Sequence, residues 1–171
     1  MIRAIVQRQL AAAERRFGAS MDYMRHVADR DLGLFLKLSM LQPATWHRRR
    51  LPRDAFHAAR LATTLHADCG ECVQIEVTAA RKAGVPAALL RAVLDDRGAG
   101  LPDGVGDAVT FAQVVASGAD PDDTLRARLT SRFGEEGVVE LANAVATAQF
   151  YPTLKRALGY SRSCALVQVA V

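Results

Sequence analysis

The sequence predicts an all-α helical bundle, and three observations predict it. Half of the 171 residues are hydrophobic but only 6% are aromatic, and alanine is abundant, a mix that suits closely packed helices. Apolar residues recur every three or four positions through most of the chain, which is the spacing of one helix face. Glycine and proline fall between these stretches, where helices end. A chain of this length fits one domain, 1–171, with a core over about 20–160, an N-terminal helix in 1–19 and a tail over 161–171. About seven or eight helices are expected.

Ile2, Ile5, Val6, Leu10, Ala13 and Phe17 make the first helical face, which stops at Gly18. Ser20 is placed to cap a second stretch, Met21 to about Met40, whose weak point is Gly33. Pro43 to Pro52 reads as a linker. Asp54 to Leu65 resumes the pattern, and a helix from Cys69 to Ala83 follows, ending before Gly84 and Pro86. Pro86 to Leu94 is a further short helix. The glycines of the 98–106 loop do not form G-x-G-x-x-G and follow no strand, so phosphate binding is not expected.

Asp107 is placed to cap a helix over Ala108 to Ser117. Asp120-Pro121-Asp122-Asp123 supplies a cap, a first-turn proline and first-turn acids for the next helix, which Gly134 ends. Glu135 to Leu158 is the longest amphipathic segment, interrupted or bent near Pro152. The tail from Ser161 to Val171 is apolar and alternating, as in an extended arm laid on the body or on a neighbour. No repeat of solenoid period is present.

Several function classes are excluded by composition. The longest apolar stretch, Leu32 to Leu41, contains Lys37 and is too short for a bilayer core of about 30 Å. Met1 to Gly18 alternates charge with hydrophobe and lacks a signal-peptide core, so a cytoplasmic protein without a membrane partner is expected. The net charge of +4 comes partly from Arg48, Arg49, Arg50 and Arg53. No aromatic residues alternate with them and no helix-turn-helix or finger spacing surrounds them, so they read as a solvated loop or subunit contact, and no nucleic-acid partner is expected.

Two of the three cysteines stand in Asp68-Cys69-Gly70-Glu71-Cys72, and Glu76 follows four residues later. Thiols at i and i+3 of a helix share a face and can close a disulfide with little rearrangement. An odd number of cysteines does not suit a secreted disulfide framework, so the Cys-x-x-Cys reads as redox or metal. Structural zinc wants four ligands, and here there is no second pair, only scattered Cys164, His26, His47, His57 and His66; no metal and no organic cofactor are expected. Cys164 reads as a small buried hydrophobe.

Asp68 with Glu71 three residues on has the form of an acidic capping box, placing Cys69 and Cys72 in the first turn of a helix. The positive end of that helix favours thiolate. Glu76 on the same face raises a thiol's pKa by like-charge repulsion unless it takes the thiol proton or holds a cationic imidazole. The candidate imidazoles are His66, three residues before Cys69, and His57, on the preceding helix.

The segment His66 to Gln74, with Ala79 to Val85 and the closing Glu135 to Gly159 that ends in FYPTLKRALG, resembles the alkylhydroperoxidase D-like branch of the carboxymuconolactone decarboxylase family. The resemblance implies an alkylhydroperoxidase D-like helical bundle, homo-oligomeric assembly, and thiol-dependent peroxidase or disulfide reductase activity. The implied partners are a hydroperoxide or disulfide substrate and an external dithiol reductant. It further implies that Cys72 is the peroxidatic thiol and Cys69 the resolving one, flanked by a carboxylate and an imidazole that relay the proton. His57 stands here where the family motif has Glu, and Glu76 where it has His, which suggests a relay with its ends exchanged. Two other readings belong to the same residues: a non-redox lactone decarboxylase-like enzyme, and a helical oligomeric binding or redox-sensor protein.

Overall fold

The computed structural model describes residues 2–96 and 100–160. They form helices without a strand: α1 (Ile2–Phe17), α2 (Asp22–Arg30), α3 (Leu32–Ser39), the single turn α4 (Gln42–Thr45), α5 (Arg53–His66), α6 (Gly70–Lys82), α7 (Ala87–Asp96), α8 (Asp103–Ala116) and α9 (Asp123–Ala157). None of these helices is long and apolar enough to cross a membrane. The tail with Cys164, and residues 97–99 of the glycine-rich loop, lie outside the described residues.

Helix α5 is the axis of the fold. Every residue from Ala55 to Thr64 is buried, because α8 packs along it most extensively and α9, α6 and α7 close the remaining sides. The sequence accounts for this: Ala55, Ala58, Ala59 and Ala62 let neighbouring helices approach closely, and Phe56 and Leu61 fill the space between them. A second, smaller core joins α1, α2 and α3 through Val6, Leu10, Tyr23, Met24, Val27 and Phe35. Ile75 of α6 and Tyr151 and Leu154 of α9 pack against that second core, so α6 and α9 face both. The candidate site lies in this seam.

The structure departs from the sequence reading at helix ends. The stretch expected over 21–40 is two helices that break at Asp31 and not at Gly33; Asp31 leaves helical backbone and its carboxylate accepts the Leu34 N–H to start α3. The linker expected over 43–52 contains α4, with Pro43 in its first turn, where the missing N–H costs nothing. Helix α8 begins at Asp103, so Gly104 and Gly106 are helical and Asp107 is an interior residue that accepts from Arg128 instead of a cap. Asp122, not Asp120, caps α9 by accepting the Leu125 N–H. Gly134 interrupts α9 with φ 69° and ψ 169°, whereas the helix runs past Pro152 to Ala157.

The basic linker is held locally. The buried Glu140 carboxylate of α9 accepts the backbone N–H groups of Arg49, Arg50 and Leu51. Burial would raise its carboxyl, but these donors outweigh burial and hold it below the ordinary carboxylate range. Arg50 pairs with Glu136, and Arg48 donates to the Leu51 carbonyl.

Candidate functional site

The turn between α5 and α6 places the two cysteines. Helix α5 ends at His66, and Asp68 adopts a left-handed backbone at φ 49° that swings the chain into α6. An aspartate tolerates that region better than most residues. Cys69 then occupies the capping position and Cys72 the first turn. The expected acidic box is not formed, because Asp68 is used in the turn and Glu71 pairs with Lys155 of α9. Both cysteines are free thiols and both are buried.

Their electrostatics are unequal. Hydrogen bonding between the two thiols opposes the effect of burial at Cys69; the Cys72 backbone N–H and the Lys155 charge act in the same direction, and the Cys69 thiol is lowered to about 6. Holding its proton on that hydrogen bond, and buried as well, the Cys72 thiol is pushed far up. The two sulfurs therefore favour sharing one proton over holding two. Burial above all, and then the nearby Cys72, keeps the hydroxyl of Tyr23 in α2 protonated.

An apolar cavity of about 210 Å³ opens beside the pair, between the two cores. Leu10, Met24, Phe35, Trp46 and Tyr151 line it, and Cys72 reaches its wall while Arg60 and Glu76 form its polar side. Arg60 donates through Nε to Glu76 Oε2 at 3.0 Å and through Nη2 to Oε1 at 2.7 Å. Its Nη1 donates to the Thr45 carbonyl, to Thr147 Oγ1 and to the Ala144 carbonyl. The Trp46 ring lies 4.5 Å from the guanidinium carbon.

Of the five residues singled out from sequence, the structure brings Cys69 and Cys72 together at the start of α6. Glu76 shares their helix, but its carboxylate is engaged by Arg60, and no hydrogen bond joins it to His57. His57 is buried with its ring edge-on to Phe56 at 5.2 Å, and its Nδ1 has no hydrogen-bond partner. Burial, then the charge of Arg60, lowers His57 to about 4, so it is neutral at physiological pH. His66 is exposed at the end of α5.

No protein-family model, curated protein or solved structure matches the chain. Among the described residues no three His, Cys, Asp or Glu side chains gather as a metal would require.

Residues of the site that sequence reasoning passed over are Arg60, Lys155 and Tyr23. Arg60 carried a visible signal, since it is the one charge in the apolar run Ala58-Ala59-Arg60-Leu61-Ala62. A charge so placed needs a buried partner. Lys155 and Tyr23 are far from the cysteines in sequence and carried no local signal.

Proposed function

We propose that the protein is a dithiol oxidoreductase that reduces a hydroperoxide or a disulfide, cycling Cys69 and Cys72 between dithiol and disulfide. The observation that carries this reading is geometric: two buried free thiols, Cys69 and Cys72, stand together at the start of α6, and Cys72 lines an apolar cavity. A thiolate is the nucleophile in the first step, and in the second the other thiol gives up its proton as its sulfur attacks.

The cycle balances without a bound cofactor. The Cys69 thiolate attacks the outer oxygen of the hydroperoxide, the O–O bond breaks, and the alkoxide leaves and takes a proton from water. Cys72 then condenses with the Cys69 sulfenic acid, forming the disulfide and releasing water. An external dithiol reduces that disulfide by exchange and is itself oxidised. The lowered Cys69 thiol favours Cys69 as the attacking sulfur, the reverse of the order that the family resemblance implies, whereas the cavity wall holds Cys72. Homo-oligomeric assembly and a cytoplasmic setting, whose reductants keep the pair as thiols, complete the reading.

The deciding experiment counts free thiols before and after an organic hydroperoxide and then adds a dithiol reductant. Loss of two thiols with repeated turnover is expected. Stoichiometric oxidation without turnover would make the pair a sensor, and no change in thiol count would leave the non-redox reading.

A further inference from the structure

Lys155 is a lysine with only 4% of its surface exposed, an unusual place for an ammonium group. Its Nζ is ion-paired with Glu71, which lies in the first turn of α6 between the two cysteines. Arg156, the next residue, donates to the Ala67 carbonyl in the turn that leads into Cys69. The end of α9 therefore grips the cysteine turn from both sides. A polar cleft of about 280 Å³, lined by Ser20, Asp22, Tyr23, Glu71, Lys155 and Tyr160, opens over the ion pair, and Tyr23 belongs both to this cleft and to the apolar cavity.

We propose that Lys155 is the positioning residue of the thiol pair, supplying the positive charge that a histidine was expected to supply. The groups acting on the two sulfurs are Cys69 and Cys72 on each other, Glu71 and Glu76 from α6, and Lys155 from α9, with the Tyr23 hydroxyl of α2 alongside. Both glutamates oppose a thiolate, and Lys155 favours one at each cysteine. His57 is neutral and His66 is exposed, so neither takes this place. Its importance to turnover rests on the dithiol reading, but its effect on the thiols does not.

The test is the pH midpoint of thiolate formation, read by ultraviolet absorbance and by the rate of iodoacetamide alkylation, in folded Lys155→Met, Lys155→Arg and Glu71→Gln. Lys155→Met is expected to raise the midpoint by about one pH unit and slow alkylation at neutral pH by up to about tenfold. Lys155→Arg is expected to hold the midpoint near the unmodified protein's, and Glu71→Gln to lower it. A purely structural clamp breaks equally in Lys155→Met and Glu71→Gln, so midpoints that move together, or do not move, overturn the proposal. If Lys155→Met does not fold, Lys155→Gln takes its place: a raised midpoint supports the assignment and an unchanged or lower one overturns it. These shifts without any hydroperoxide or disulfide turnover would sink the enzyme reading and leave the role of Lys155 standing.

Discussion

Arg60 of α5 and Glu76 of α6 meet fork to fork inside the protein, with side chains only 2% and 5% exposed. Either ion alone would be strongly unfavourable at that depth, and each satisfies the other through two charge-assisted hydrogen bonds. Arg60→Met is therefore expected to cost about 3–5 kcal/mol, because it leaves a buried carboxylate without a partner. The double variant Arg60→Met with Glu76→Met is expected to recover most of that loss, since two apolar side chains replace a desolvated pair. Urea denaturation of the three proteins measures it, and a double variant no more stable than Arg60→Met would contradict the account.

His57 gives the protein an acid-sensitive interior. An unfolded chain protonates this imidazole near its ordinary value of 6.5, whereas the native site admits a proton only at about 4. Between those values the unfolded state binds more protons, so stability rises with pH through the window and falls on acidification. The difference corresponds to roughly 3 kcal/mol lost by the lower end of the window. Urea midpoints measured across it should fall more steeply for the unmodified protein than for His57→Leu; parallel curves would show that His57 titrates normally in the fold.

Helices were legible in this sequence because alanine and the apolar spacing act locally, and α1, α5, α6 and α7 fall close to where the pattern puts them. Helix ends were less legible where a side chain several residues away decides them. Asp31 stops α2 because its carboxylate can start α3, a competition that the Gly33 signal hides. The cysteine pair was legible as a motif, and its neighbours were not. Nothing local distinguishes Lys155 from a surface lysine of an amphipathic helix; its burial is a product of how α9 crosses the α5–α6 turn. From sequence Glu76 suits a histidine partner, because the two residue types are chemically matched. The fork of Arg60, three residues past His57 on α5, is what the fold brings to it.

The roles of the two sulfurs are separable by substitution. With Cys69 as the attacking thiolate, hydroperoxide should leave a persistent sulfenic acid in Cys72→Ser, where no thiol remains to condense with it, and none in Cys69→Ser. Trapping with a dimedone-type reagent and intact mass measurement reads this directly. The opposite pattern would return the attacking role to Cys72, as the family resemblance implies. Cys72→Ala should also move the thiolate midpoint of Cys69 up from about 6 toward the ordinary thiol range, because the S–H donor that favours the thiolate is gone.

The apolar cavity beside Cys72 makes an expectation about substrate size. Its wall includes Ala13 of α1, a half-buried position where a larger side chain would project into the space without crossing the main core around α5. Ala13→Phe should fill much of the 210 Å³ and exclude a bulky organic hydroperoxide while still admitting hydrogen peroxide. Loss of a pocket contact of one or two methylene groups changes kcat/KM by about 10- to 200-fold, so a drop of at least about tenfold is expected for cumene hydroperoxide. Hydrogen peroxide, which needs no apolar contact, should react at a nearly unchanged rate. A parallel loss for both oxidants would mean that the variant disturbs the thiols themselves. Unchanged rates for both would mean that substrate reaches the sulfurs by another route, such as the polar cleft over Glu71 and Lys155.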